Sequence, residues 1–144
     1  MGEGVSGGKN DMDTTKTIKH HELMTVMIPF PYATGNHAWK HAGRRHYLTE
    51  KAKRYYWDVA HLLRAQNAVW RLEGSIEVEV LVYPPDARKR DLDNVWKVAS
   101  DALTKGGLWL DDDQIHDLRL LKMKVDGTAR VEVRIKSVNG VAKN

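Results

Sequence analysis

The stretch SIEVEVLVYPPDARKRDLDNVWKVASDALTKGG, residues 75–107, holds two hydrophobic periods back to back. Ile76, Val78 and Val80 alternate with Glu77 and Glu79, and β-branched residues at every second position make a strand with one buried face. Pro84 and Pro85 stop it, because proline cannot donate to a sheet ladder. The period then changes: Leu92, Val95, Trp96, Ala99 and Leu103 recur at helical spacing, predicting a helix from Asp91 or Leu92 to Lys105. Gly106-Gly107 ends that helix. A strand is thus followed at once by an amphipathic helix.

Upstream, Glu22 to Ile28 partly alternates and ends at Pro29-Phe30-Pro31, which suits a first strand followed by a loop. Thr49 stands as an N-cap before Ala52, Tyr55, Tyr56, Val59, Ala60, Leu62 and Leu63, predicting a helix over about Glu50–Trp70 that Gly74 terminates. Downstream, strands are expected at about 116–125 and 129–138. Asp126-Gly127 between them is a strong hairpin signal. The order β-α-β-α-β-β gives an α+β fold, a two-layer sandwich of a mixed sheet and two helices, since one sheet face covered by helices buries both apolar surfaces.

The 144 residues (16.4 kDa) suit one compact domain, and 42% hydrophobic residues with 29% charged and five Trp are enough for one core. Residues 1–17 are nearly devoid of apolar side chains and read as a tail, leaving 18–144 as the domain. Their GEGVSGGK text lacks the glycine spacing and preceding strand of a phosphate loop. No apolar run reaches the roughly 18 residues of a membrane span, and no signal-peptide core is present, so a cytoplasmic protein with no membrane partner is expected. The absence of cysteine excludes thiol nucleophiles, disulfide scaffolds and thiolate metal sites.

The net charge of +4 is mild, but its distribution is uneven. Between His37 and Tyr56 stand Lys40, Arg44, Arg45, Lys51, Lys53 and Arg54 against the single acid Glu50, interleaved with His41, His46, Trp39, Tyr47 and Tyr55. Cations mixed with rings suit phosphate contact and base stacking, although a solvated basic surface with aromatics turned inward would read the same.

Acids cluster in two places: Asp91 and Asp93 at the start of the second helix, and Asp111-Asp112-Asp113 after its glycine stop. Mg²⁺ takes oxygen ligands from one or two carboxylates together with phosphate and water, so a D-x-D pair with a distant Asp is a suitable set. Lys97, four residues after Asp93, shares its helix face and reaches toward a phosphate. Taken singly, each group is more often a helix-capping acid or a solvated turn than a metal ligand. Counting from Asp111 puts Ile115, His116 and Lys122 where a calcium-binding loop needs other residues. His37 and His41 have i,i+4 spacing without a third ligand, and no G-x-S-x-G elbow exists, which sets aside zinc and acyl-transfer chemistry.

The string R-D-L-D-N-V-W-K at 90–97, followed by D-A-L-T-K-G-G-L-W-L-D-D at 101–112, resembles the signature of the RusA family of Holliday junction resolvases. The likeness extends from Pro29-Phe30-Pro31 to the last strands. It implies a small homodimeric endonuclease, dependent on Mg²⁺ with Mn²⁺ as an alternative, that nicks four-way junction DNA symmetrically in recombination and repair. Carried over, Asp91, Asp93 and Asp112 match the metal-binding acids, Asp111 the adjacent acid, and Lys97 the catalytic lysine. Arg88, Lys89 and Arg90 match a basic run, and Gly35, Asn36 and His37 a DNA-contacting turn. Lys40, Arg44, Arg45 and Asn94 complete the expected DNA-binding set. Ala87 interrupts a run that is often longer, and the loop before Asn36 carries an extra residue. A module that binds branched DNA without cutting is the alternative expectation.

Overall fold

A computed structural model describes residues 22–34, 37–42 and 45–137. The expected tail, Gly35, Asn36 and Arg44 lie outside the described residues. Strand β1 (Glu22–Pro29) is followed by a short antiparallel hairpin of β2 (Trp39–Ala42) and β3 (Arg45–Leu48), then helix α1 (Glu50–Ala65), strand β4 (Ile76–Tyr83) and helix α2 (Leu92–Lys105). A 3-10 turn (Asp112–Gln114) leads into β5 (Ile115–Lys122), and β6 (Arg130–Ser137) follows.

The α+β class stands: a mixed four-stranded sheet with two helices, beside the small β2–β3 sheet. Three local expectations do not. The stretch after Pro31, expected as loop, contains the β2–β3 hairpin, in which His41 sits on a strand and not at helical spacing from His37. Helix α1 ends at Ala65 because Asn67 takes a left-handed conformation (φ 55°) and the Ala68 amide reaches back to the Leu63 carbonyl at 2.7 Å. Ala68 and Leu72 then return to the core.

The third correction concerns the sheet. Strands β5 and β6 are not a hairpin, because β4 lies between them in the order β1-β6-β4-β5. β5 pairs parallel to β4 across the α2 crossover, while β6 runs antiparallel to both β4 and β1. Asp126-Gly127 still makes a turn, with Gly127 at φ +89° and the Asp126 carboxylate accepting the Thr128 amide at 3.0 Å. That turn bends the chain across a neighbouring strand rather than into one.

Alternate residues of the sheet point to the helices: Val26 and Ile28, Val78, Val80 and Val82, and Val131, Val133 and Ile135 are all buried. They meet Tyr55, Val59 and Leu63 of α1 and Val95, Ala99 and Leu103 of α2 in one core. The opposite face carries Glu77 and Glu79, paired with Lys136, Arg134 and Arg119 across neighbouring strands. Since β1 and β4 point the same way, the helices that follow them run alongside each other in parallel. Tyr56 accordingly meets Asp101, and Leu63 lies against Gly106.

Candidate active site and nucleic-acid interface

Asp91 is the N-cap of α2: its backbone is extended (φ −89°, ψ 119°) and its carboxylate accepts the Asp93 amide at 3.0 Å. The cap sets Asp91 before the first turn of α2 and Asp93 within it. Asp93, Asn94 and Lys97 follow on exposed positions, while Val95, Trp96, Val98 and Ala99 are buried beneath them. One helix end thus presents two carboxylates and an ammonium to solvent. Negative charge at the N-terminal end of a helix is favoured by the helix dipole.

Beside this end lies a cleft of about 750 Å³ between the segment after β1 and the turn before α2. His37, Lys40, Lys51, Arg88 and Lys89 line it, with Phe30 and Tyr32 as apolar walls. Segments about fifty residues apart in sequence converge here. Arg90 is spent differently: its guanidinium binds Asp86 at 2.7 Å and lies 5.3 Å from the centre of the Phe30 ring, so it shapes the turn. The same hydrogen bond holds the Asp86 carboxyl down to about 2. Arg88 and Lys89 are exposed. Only the backbone of Arg45 is described.

Asp112 sits at the far end of α2. Thr104 donates its hydroxyl to the Asp112 carboxylate, and the buried indole of Trp109 donates to Thr104 Oγ1 at 2.6 Å and to Asp112 Oδ1 at 3.2 Å. One carboxylate oxygen is fixed from below while the residue stays exposed. Next to it Tyr56 donates to Asp101; burial, then that hydrogen bond and the negative charges of Asp101 and Asp112, raise its phenol well above the ordinary value of 10.0. Asp111 serves the backbone instead, capping the 3-10 turn by accepting the Asp113 amide at 2.9 Å. Gln114 ties that turn to the Leu72 and Gly74 carbonyls at 2.8 and 2.9 Å.

Asp93, Lys97, Asp101 and Thr104 fall on one solvent-facing side of α2, with acids at both ends of the stripe. The ends are far apart: thirteen residues at 1.5 Å rise separate Asp91 from Thr104, about 20 Å. Within one chain, therefore, the expected acids are not gathered, and among the described residues no three His, Asp or Glu side chains come close enough to share an ion. Sequence reasoning missed Thr104 and Trp109, whose part in holding Asp112 shows only once the glycine turn folds back on the helix.

The family model described as Endodeoxyribonuclease RusA matches residues 29–136. The chain is 34% identical over 111 residues to the crossover junction endodeoxyribonuclease RusA of Escherichia coli K12, covering 77% of this chain and 92% of that protein. The corresponding protein of Enterobacteria phage 82 is 34% identical over 110 residues (76% and 91% covered), and that of Shigella sonnei strain Ss046 is 33% identical over 111 residues (77% and 92%). The chain is thus of the DNA endonuclease class. It belongs to the RusA endodeoxyribonuclease family.

Proposed function

We propose that this protein is a divalent-metal-dependent resolvase of four-way DNA junctions, acting as a homodimer in recombination and repair. The observation that carries the reading is the carboxylate pair Asp91–Asp93, which follows directly in the chain on the turn residues Arg88, Lys89 and Arg90 that line a cleft with His37, Lys40 and Lys51. A phosphate backbone drawn into that cleft would be held near the start of α2, and basic side chains bind backbone with little regard to sequence.

The donor set suits Mg²⁺, a hard ion that accepts carboxylate oxygens and keeps sites for phosphate and water, with Mn²⁺ a chemically similar substitute. Asp91 and Asp93 would hold it from one side. Asp112, tied to Thr104 at the far end of α2 about 20 Å away, would do so from a second chain. Two copies related by a two-fold axis through the middle of the exposed α2 stripe run their helices antiparallel, so each Asp91–Asp93 pair meets Asp112 of the partner subunit. An ion held by these carboxylates would supply charge to polarise the scissile phosphate and acidify water. Lys97, four residues from Asp93 on the same face, neutralises charge on the phosphate as cleavage proceeds. Asn94 donates to a neighbouring backbone oxygen, as do Arg88, Lys89, Lys40 and His37. Gly35, Asn36, Arg44 and Arg45 are proposed DNA contacts on the strength of the family resemblance alone. Thr104 and Trp109 keep Asp112 in one rotamer.

The test is incubation of the protein with a labelled mobile four-way junction and a matched duplex, with Mg²⁺ or EDTA, beside Asp112→Asn. Paired symmetric nicks in the junction alone, lost with EDTA and in the variant, support the reading. Junction binding with no cleavage under any divalent ion overturns it in favour of a binding module.

A further inference from the structure

Helix α1 carries a second surface that the site above does not use. Its outer side presents Lys53, Arg54, Trp57, His61 and Arg64 at successive turns, all exposed. Trp57 keeps 63% of its surface in solvent, more than any other exposed aromatic among the described residues, and packs edge-on against the His61 ring at 4.5 Å between centres. A large indole left outside the core, in a row of cations, is unexplained by folding.

The strip is continuous with the basic cleft. Tyr32, Glu50 and Lys51 line that cleft and also the shallow depression holding Lys53 and Arg54. At the other end Arg64 joins Arg71 and Lys105 around Gly106-Gly107 in a pocket of about 350 Å³, whose wall includes Thr104 and Trp109, the two residues that hold Asp112. Because α1 and α2 run parallel, the strip connects the two ends of the α2 stripe.

Acids along it are few: Glu50 faces Lys53 at 3.6 Å, Asp58 faces Arg54 at 3.6 Å and Asp101 faces Lys105 at 3.9 Å. Such exposed pairs are weak and are readily exchanged for phosphate. Asp58 is further engaged by the Tyr32 hydroxyl at 2.5 Å. No carboxylate lies within ion-pair distance of Arg64 or Arg71 among the described residues. Lys53 to Arg64 spans about 17 Å at helical rise, which matches about five base pairs of one duplex arm at 3.4 Å each.

We propose that the outer face of α1 binds the backbone of a duplex arm flanking the nicked strand, with Trp57 packed against its sugars or a terminal base and Arg54 and Arg64 on its phosphates. The inference rests on the junction-resolvase reading and adds an interface to it. The experiment compares full-length protein with the Arg54→Gln/Trp57→Ala/Arg64→Gln variant. Junction affinity is measured by fluorescence anisotropy in EDTA between 50 and 200 mM salt, and the nicking rate at saturating enzyme. The variant should bind at least about tenfold more weakly, with the slope of log affinity against log salt smaller by about 1.8, the loss of two phosphate contacts. Its saturated nicking rate should stay within about twofold. Unchanged affinity and slope in a variant that still nicks remove this interface and leave the proposed function standing, whereas wild-type protein that neither binds nor nicks the junction removes both. A variant that becomes monomeric by sedimentation assigns the face to protein contact and overturns the inference.

Discussion

Two inactive variants, Asp93→Asn and Asp112→Asn, should restore nicking when mixed. The reasoning starts from α2: its N-terminal acids and Asp112 stand at opposite ends of a fourteen-residue helix. That separation is about 20 Å, while carboxylates sharing one Mg²⁺ lie within about 4 Å of each other, twice the metal–oxygen distance. If the site forms across the two-fold, a mixed dimer has one site with both lesions and one with none. Random exchange of subunits makes half the dimers mixed, so one site in four is intact, and the mixture should nick at about a quarter of the wild-type rate. The products should change as well, from paired cuts to single nicks. The assay is junction cleavage after the subunits have been exchanged, with mixed dimers verified by mass. The pair Asp91→Asn with Asp93→Asn is the internal control and should stay dead, because both lesions fall on the same half of the site. A mixture of Asp93→Asn and Asp112→Asn that remains at background while mixed dimers are present would refute the argument.

Three further outcomes are expected. Lys97→Ala should bind the junction about as well as wild type yet nick it about 10²–10³-fold more slowly, the usual effect of losing one charge-stabilising group, as read from single-turnover cleavage. Gly107→Ala should lower the urea midpoint by an amount worth about 2–4 kcal/mol, because φ is +92° and a Cβ would lie 2.8 Å from the Val69 side chain. Tyr32 has its phenol raised to about 12 by burial and by the Asp58 hydrogen bond and charge. Its folded pKa exceeds the unfolded value of 10.0, so its contribution is complete below pH 10 and lost as pH climbs toward 12. Alkaline unfolding curves of wild type and Tyr32→Phe should converge over that window.

The elements that periodicity alone decides were legible: Ile76–Tyr83, Leu92–Lys105 and the first strand stand within a residue or two of expectation. Burial on one face dictates their pattern, and that pattern is local. The sheet order was not legible, because an Asp-Gly turn specifies its own backbone and says nothing about which strand lies alongside. The hairpin Trp39–Ala42 and Arg45–Leu48 was hidden by a composition dominated by His, Lys and Arg, which overlies any alternation. At the site, the capping geometry of Asp91 and Asp93 followed from their position. Arg90 did not read as a clamp on Asp86, nor Asp111 as a cap, since such partners are set by how a turn closes.

Strand β6 occupies the middle of the sheet yet is the last element described, and β1 and β4 share no edge with one another. Until Arg130–Ser137 is synthesised and free to move, β1 has no strand to pair with, and β4 has only β5. Folding therefore waits for the end of the domain, with pairings as far apart as Glu22 and Ser137 closing together. A chain interrupted before β6 would not be a shortened enzyme; it would be two sheet fragments with an open gap where their common partner belongs.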